Sequence, residues 1–412
     1  MSKPLLIGVD PHRKKNVVQM MADDGRELGR AFAVDNNRPG TLSLIERIVG
    51  QVESGGHDQI KLITEATGWY WFHLCQTLSQ DAHLNRWSVA LYPINPRLTA
   101  RFKGTYSDLD KDDATDAYVL ADRLRFGRDL PAPFRPDDIY RPLRLLTRYR
   151  YHVVHNLARE KSYCLAILYL KASEYTRLEP FSHIFGVASR AVIEGFPSIQ
   201  AVADIPLADL IEFIDVKGKR RFPDPTENAR RLRQVAQDSY QLPDTWLQPV
   251  NTILHLSFQH IAMLEAQQDR LDTAIAQHMI AIPHTLDTIA GFGPVFSAGI
   301  IAEIAGVERF NGDDAKVANY AGLRWRQSAS ADFKAEDTPL TRSGNAYLRY
   351  YFCEAANIVR MHDAEYKAFY QRKYHEVTKH RHKRAIVLTA RKLVRLVVRL
   401  LTTNQPYRPR RL

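Results

Sequence analysis

The sequence predicts an α/β domain with a mixed sheet at the N-terminus, then a helical middle and a mostly helical C-terminal region. Three observations carry this. Apolar runs of strand length follow one another between residues 5 and 34; helical and extended patterns alternate from 41 to 124; beyond 141 the periodicity is helical almost throughout. At 412 residues, 45% hydrophobic and 25% charged, the chain has ordinary globular composition, enough for about two to three domains.

Leu5 to Asp10 reads as a buried strand, and Asn16 to Met21 and Leu28 to Val34 as two more, with the hairpin dipeptide Asp24-Gly25 between them. Thr41 to Val52 places Leu42, Leu44, Ile45, Ile48 and Val49 at helical spacing. Ile60 to Thr64 is a short apolar strand ending at Glu65, followed by an aromatic-rich helix, Trp69 to Leu78. Trp87 to Leu91 is a strand closed by Pro93 and Pro96, and Asp112 to Leu124 is helical. Consecutive strands want antiparallel neighbours and crossover helices want parallel ones, so the sheet must be mixed.

Arg141 to Leu170 and Leu247 to Met279 are long helical stretches. In the second, Leu254, Ile261 and Ile275 share one heptad position with Gln268, and Leu264 and Leu271 share its partner. That is a coiled-coil seam or a long bundle helix; a seam needs a partner, so oligomerisation through it is expected. Several prolines punctuate shorter helices between the two stretches, and the basic run Lys217 to Arg221 falls on a loop. After Pro283, the segment from Leu286 to Pro294 and the small-residue helix Val295 to Ala305 suggest helix, Gly-rich turn, helix. The chain closes on an amphipathic helix, Ala385 to Leu401. The expected divisions are 1–140, 141–279 and 280–412.

Net charge is +11, from 57 Lys and Arg against 46 Asp and Glu. From Gln371 to Leu412 there are 13 Lys and Arg against one acid, Glu376, so the rest of the chain is almost neutral. Charge segregated in this way points to a polyanion, nucleic acid before membrane, although a solvated basic helix has the same composition. Cys75, Cys164 and Cys353 are too scattered for a disulfide framework or a Cys-x-x-Cys metal site. No run approaches the length of a membrane span and no leader segment is discernible, so a reducing cytoplasmic setting is expected.

Asp10 and Glu65 each end a strand, and Asp113 and Asp116, three apart on a helix, lie on one face. Four carboxylates brought together repel unless a divalent cation neutralises them, and hard oxygen ligands select Mg²⁺ or Mn²⁺. Each acid alone would be an ordinary surface carboxylate, and Asp112 and Asp122 are expected to be solvated. The four in this order, on a first strand, a fourth strand and a late helix, match the RNase H-like layout of RuvC-type nucleases.

At these residues the chain resembles the insertion-sequence family one-ten transposases, bridge-RNA-guided DNA recombinases that include the Piv-type invertases. One block, Ile7 to Arg123, holds the acids; the other runs through Ala290 to Pro294, Tyr320 to Leu323, Thr341 to Asn345 and Tyr347 to Arg349. The resemblance implies a RuvC-like DEDD domain (Asp10, Glu65, Asp113, Asp116), a coiled-coil middle, and a C-terminal transposase domain with a nucleophilic serine. That serine is Ser330 when counted from Trp325-Arg326 and from Asp332-Phe333, with Ser328 as competitor. The family helix begins Lys-Thr-Asp where this one reads Lys111-Asp112-Asp113, which adds a carboxylate. Implied further are strand exchange through a phosphoserine link, Mg²⁺ (or Mn²⁺), double-stranded DNA of element end and target, a structured non-coding guide RNA, a tetramer of paired dimers, and action at the nucleoid of a bacterial or archaeal cell. Arg324, Arg326, Lys334 and Arg342 lie near the serine in sequence; Glu336 and Asp337 either orient such a group or cap a turn. Gly291-Phe-Gly293 is either a phosphate-holding hairpin or a tight turn. Lys383, Arg384, Arg391, Lys392, Arg395 and Arg399 are expected to follow a phosphate backbone. Two other readings are a junction-resolving metal nuclease without the serine and a non-catalytic nucleic-acid-binding protein.

Overall fold

The computed structural model describes residues 3–106, 109–110, 112–127, 130–325, 340–341 and 343–409, together with the backbone of 329–330 and 333–334. It comprises two compact units, Met1–Asp138 and Ile139–Leu412. No helix among the described residues is long and apolar enough to cross a membrane.

The first unit is built on five strands, β1 (Pro4–Pro11), β2 (Lys15–Met21), β3 (Phe32–Asp35), β4 (Gln59–Glu65) and β5 (Ser88–Ile94), in the order β3-β2-β1-β4-β5. β1, β2 and β3 pair antiparallel, while β1, β4 and β5 run parallel, so the sheet is mixed as expected. The parallel pairs need crossovers, supplied by α1 (Arg38–Gly55) and α2 (Phe72–Gln80); α3 (Pro96–Lys103) and α4 (Asp113–Phe126) follow. Period-2 alternation divides the faces of the sheet. Leu5, Ile7 and Val9 join Leu44, Ile48, Leu74 and Leu78 of α1 and α2, whereas Leu6 joins Ile63, Ile94, Leu120 and Leu124 beneath α4.

Three local differences from the sequence reading have physical causes. The third strand starts at Phe32 and not at Leu28, because Gly29 takes φ +90° and interrupts the extended run. The second helix starts at Phe72, after a turn in which Gly68 is left-handed (φ +54°). Helix α3 is additional: Pro96 occupies its first turn, where proline's missing N–H has no helical partner to lose, and the Asn95 side chain accepts from Arg97 N at 2.9 Å.

The second unit contains α5 (Tyr140–Lys171), α6 (Tyr175–Leu178), α7 (Val187–Gly195), α8 (Leu207–Lys217), α9 (Pro225–Asp238), α10 (Asp244–Met279), α11 (Pro294–Ile304), α12 (Asp314–Tyr320), α13 (Ala346–His362), α14 (Ala364–His375) and α15 (Arg381–Thr403). A two-stranded ladder, β6 (Ala329–Ser330) with β7 (Phe333–Lys334), lies between α12 and α13. α5 and α10 pair antiparallel: Arg150 meets Asp272, Lys161 meets Glu265 (2.7 Å), and Lys171 meets Asn251 (2.6 Å). Leu254, Ile261 and Leu264 of the heptad seam are buried with Val153, Leu157, Cys164 and Leu168 of α5, and Ile275 with Leu143. The seam therefore finds its partner inside the chain, and the need for a second subunit to cover it disappears.

The C-terminal core gathers the ends of α5 and α10 with α11, α13 and α15. The segment preceding the Gly-rich turn is a single 3-10 turn, Leu286–Thr288, in place of a helix. Gly291 there takes φ +83°, and a Cβ on it would lie 2.7 Å from the His362 ring, so this glycine serves a tight turn.

Candidate metal and catalytic site

Parallel register brings the first two acids together. Val9 pairs with Thr64, so Asp10 and Glu65, the next residues, leave adjacent strands at the same edge. Asp10 lies two residues beyond Gly8, and Glu65 two beyond Ile63, so both point to the face covered by α4. Gly8 admits that helix closely: a Cβ there would run into the Ala117 carbonyl and lie 2.5 Å from Ala121 N. Asp113 and Asp116 sit in the first turn of α4, where a helix N-terminus favours negative charge. All four acids line one pocket with Pro11, His12, Arg13, Thr67, Tyr70 and Asp112. Asp112 is exposed and caps α4, accepting from Thr115 N at 2.6 Å.

Burial is the main cause pushing the Asp10 carboxyl up, opposed by His12 and reinforced by the charges of Asp116 and Asp113. Glu65 is likewise raised, first by burial, with the Asp10 charge adding to it. Asp113 is held below its ordinary value chiefly by its hydrogen bond with Lys15. The pocket therefore holds partly desolvated, mutually repelling carboxylates. Three cationic or protonatable groups compensate them: His12 Nε2 at 2.9 Å from Asp10 and 3.3 Å from Asp113, Lys15 at 2.8 Å from Asp113, and Lys103 at 2.5 Å from Asp116.

Ligand atoms of Asp10, His12 and Asp113 all lie within 4.8 Å of one another. A carboxylate-rich set with one imidazole suits a divalent cation, whose charge would do what the lysines and histidine now do. Sequence reasoning missed His12, Lys15 and Lys103. His12 had a signal: in Asp10-Pro11-His12 the i, i+2 spacing returns its side chain to the face of Asp10. The lysines carried none, since their pairing depends on how β2 and α3 pack.

Asp122 is a correction. It is 5% exposed, not solvated, and its carboxylate accepts from the Tyr106 hydroxyl and from Arg125 Nε at 2.7 Å. It lies on the buried side of α4, two turns beyond the pocket.

In the second unit, Ser330 belongs to β6 and pairs with Phe333. Ser328, Arg326, Glu336, Asp337 and Arg342 lie outside the described residues, as do the side chains of Ser330 and Lys334. Arg324 is exposed. The basic tail divides in two. Arg391 and Lys392 are partly buried and paired with Asp314 and Glu365, at 2.7 and 2.6 Å. Lys383 and Arg399 are exposed, as are Arg395, whose Nε lies 3.6 Å from Asp314, and Arg384, which meets Glu376 at 3.1 Å.

Two family models match the chain, the first of them running past Asp138 into α5. Residues 7–171 match a family model described as a DEDD transposase of the IS110 type, and residues 283–371 one described as a transposase of the IS116/IS110/IS902 family. An uncharacterized 42 kDa protein of insertion element IS900 from Mycobacterium paratuberculosis is 24% identical over 99% of this chain and 98% of its own length. A 44.8 kDa protein of insertion element IS116 from Streptomyces clavuligerus, also uncharacterized, is 22% identical over 76% of each chain. With one model matched across the acidic pocket and another across the segment that carries Ser330, in that order along the polypeptide, the chain belongs to the IS110/IS116 family of insertion-element transposases.

Proposed function

We propose that this transposase cuts and exchanges DNA strands by joining the acidic pocket of its first unit to a serine nucleophile of its second. The carrying observation is that Asp10, Glu65, Asp113 and Asp116, spread over more than a hundred residues, line one pocket. The strand order β3-β2-β1-β4-β5 supports assigning the first unit to the RNase H-like, RuvC-type class. Asp10, Glu65, Asp113 and Asp116, with His12, are the residues that would hold Mg²⁺ or Mn²⁺. Such an ion, when bound, supplies the positive charge that makes a phosphodiester electrophilic. Asp113 and Asp116 gain from the helix N-terminus, and Lys15 and Lys103 stand ready to meet phosphate oxygens once released from the acids.

Ser330 attacks the phosphorus, forming a phosphoserine ester and releasing the DNA hydroxyl; attack by another strand's hydroxyl restores the serine. The bond count is unchanged, so rejoining needs no nucleotide hydrolysis. Double-stranded DNA of the element end and target, and a structured non-coding RNA that reads them by base pairing, are the proposed partners. The proposed assembly is a tetramer of paired dimers. A second reading, favoured because the acid set is complete within Met1–Asp138, is hydrolysis by water without the serine.

The test is adduct trapping. Denatured reactions of the wild type should contain DNA linked to protein; Ser330→Ala should lose both adduct and recombination while still binding nucleic acid. Asp10→Ala should lose cleavage altogether. Strand cutting that survives in Ser330→Ala without an adduct selects the hydrolytic reading, and full recombination in that variant overturns the proposal.

A further inference from the structure

Two aromatic side chains beside the acidic pocket are left in solvent. Trp69 is 51% exposed and Tyr70 is 43% exposed, and Tyr70 lines the pocket together with Asp10 and Glu65. The turn that carries them is tightly braced. Gly68 turns the chain at φ +54°, the Trp71 indole N–H donates to Gly68 O at 3.2 Å, and Trp71 is buried edge-on against Phe134 (5.9 Å between ring centroids). Trp69 lies nearly parallel to Trp71 (6.4 Å, 18°) and edge-on to Phe72 (5.9 Å). Asn36 Nδ2 donates both to His12 O (2.8 Å) and to Tyr70 O (3.1 Å), tying this turn to the one that carries His12. On the β1–β2 turn, Arg13 and Lys14 are exposed and have no carboxylate partner among the described residues. An acidic floor, a basic turn and a braced aromatic wall therefore adjoin one another.

We propose that Trp69 and Tyr70 form a stacking platform for an unpaired nucleobase of the strand whose phosphate enters the acidic pocket. The chemistry singles out that ligand. Flat aromatic faces recognise bases only when those are out of the duplex stack, cations beside them take the phosphates, and bracing of the turn means little ordering entropy is lost on binding. The platform makes the site one for a locally melted strand, with an intact duplex excluded from the stacking contact. This rests on reading the pocket as the site of DNA cleavage.

The experiment uses the full-length protein with a mixed-sequence single strand carrying one 2-aminopurine, and with its matched duplex. Stacking predicts quenching of the 2-aminopurine by wild type and by Trp69→Phe, and its loss in Trp69→Ala. Trp69→Ala and Tyr70→Ala should each weaken single-strand binding by about 5- to 100-fold, with duplex affinity within about twofold of wild type. Unchanged single-strand affinity and quenching in the double alanine variant would overturn the platform, as would equal losses for strand and duplex that Trp69→Phe does not restore. Strand cleavage by wild type and Asp10→Asn is scored in parallel: equal cutting by both removes the proposed function of the pocket while leaving the stacking result standing.

Discussion

Lys171 shows how a residue's chemistry is set by where its chain places it. It is 3% exposed, and its ammonium donates at 2.6 Å to each of three neutral acceptors: Ile193 O, Phe196 O and Asn251 Oδ1. Burial lowers its pKa from 10.5 to about 8, because a charge surrounded by neutral groups loses more hydration than the hydrogen bonds return. The folded value lies below the unfolded one, so between pH 8 and 10.5 the unfolded chain holds a proton that the folded chain has released. Stability therefore rises with pH across that window. The gap in urea midpoint between wild type and Lys171→Met should shift in favour of wild type from pH 8 to pH 10; a gap independent of pH would contradict this. Nothing in the local sequence marks Lys171 as buried: a lysine in the last turn of a helix ordinarily carries its charge to solvent, and its acceptors come from segments 22 to 80 residues away. Asp10 was legible for the opposite reason, since a strand-end carboxylate after an apolar run advertises itself. Even so, the raised titration of Asp10 and Glu65 belongs to the assembled pocket.

At the scale of elements, the pocket depends on how closely α4 approaches β1. Gly8→Ala places a methyl against the backbone of Ala117 and Ala121, which cannot rotate aside. It should destabilise the fold by about 3 kcal/mol, and it should weaken divalent-ion binding by moving Asp113 and Asp116 away from Asp10. Urea unfolding and isothermal titration with Mn²⁺ check the two effects separately. In the second unit, Glu303 of α11 is wholly buried and joins three elements. Arg148 of α5 grips it with two bonds of 2.7 and 2.8 Å, and Asn345, the cap of α13, donates to it at 2.6 Å. Glu303→Ala removes the shared acceptor of Arg148 and Asn345; because the Arg148 side chain is 41% exposed and its charge can rehydrate, the loss should be about 1–3 kcal/mol. Replacing both, as Arg148→Met with Glu303→Leu, should recover most of that loss in thermal melts. The alternation of strands and helices was readable because period 2 and period 3.6 leave different apolar patterns. α3 was not, because Pro96 ends a strand and begins a helix with equal ease.

For the whole molecule, the excess charge of the tail is a property of composition, but its availability is a property of packing. α15 buries Leu393, Val394, Val397 and Val398 in the C-terminal core and holds Arg391 and Lys392 against acids of α12 and α14. Lys383, Arg395 and Arg399 remain exposed. Lys383→Glu and Arg399→Glu should weaken nucleic-acid binding and flatten its salt dependence by about one counterion per lost phosphate contact. Arg391→Ala should instead lower the melting temperature with a smaller effect on binding, and fluorescence anisotropy across a salt series with parallel melts separates the cases. The long seam of α10 carries the same lesson, since its heptads demanded a partner without saying which, and the chain itself supplied α5. Periodicity, charge segregation and the order of the four acids are local or additive properties, and those the polypeptide determined on its face. Which carboxylates share a pocket, which cations neutralise them, which arginines stay exposed and what covers the seam all depend on contacts between distant residues, and only the tertiary structure decided them, because a linear pattern specifies a face but not the surface that will meet it.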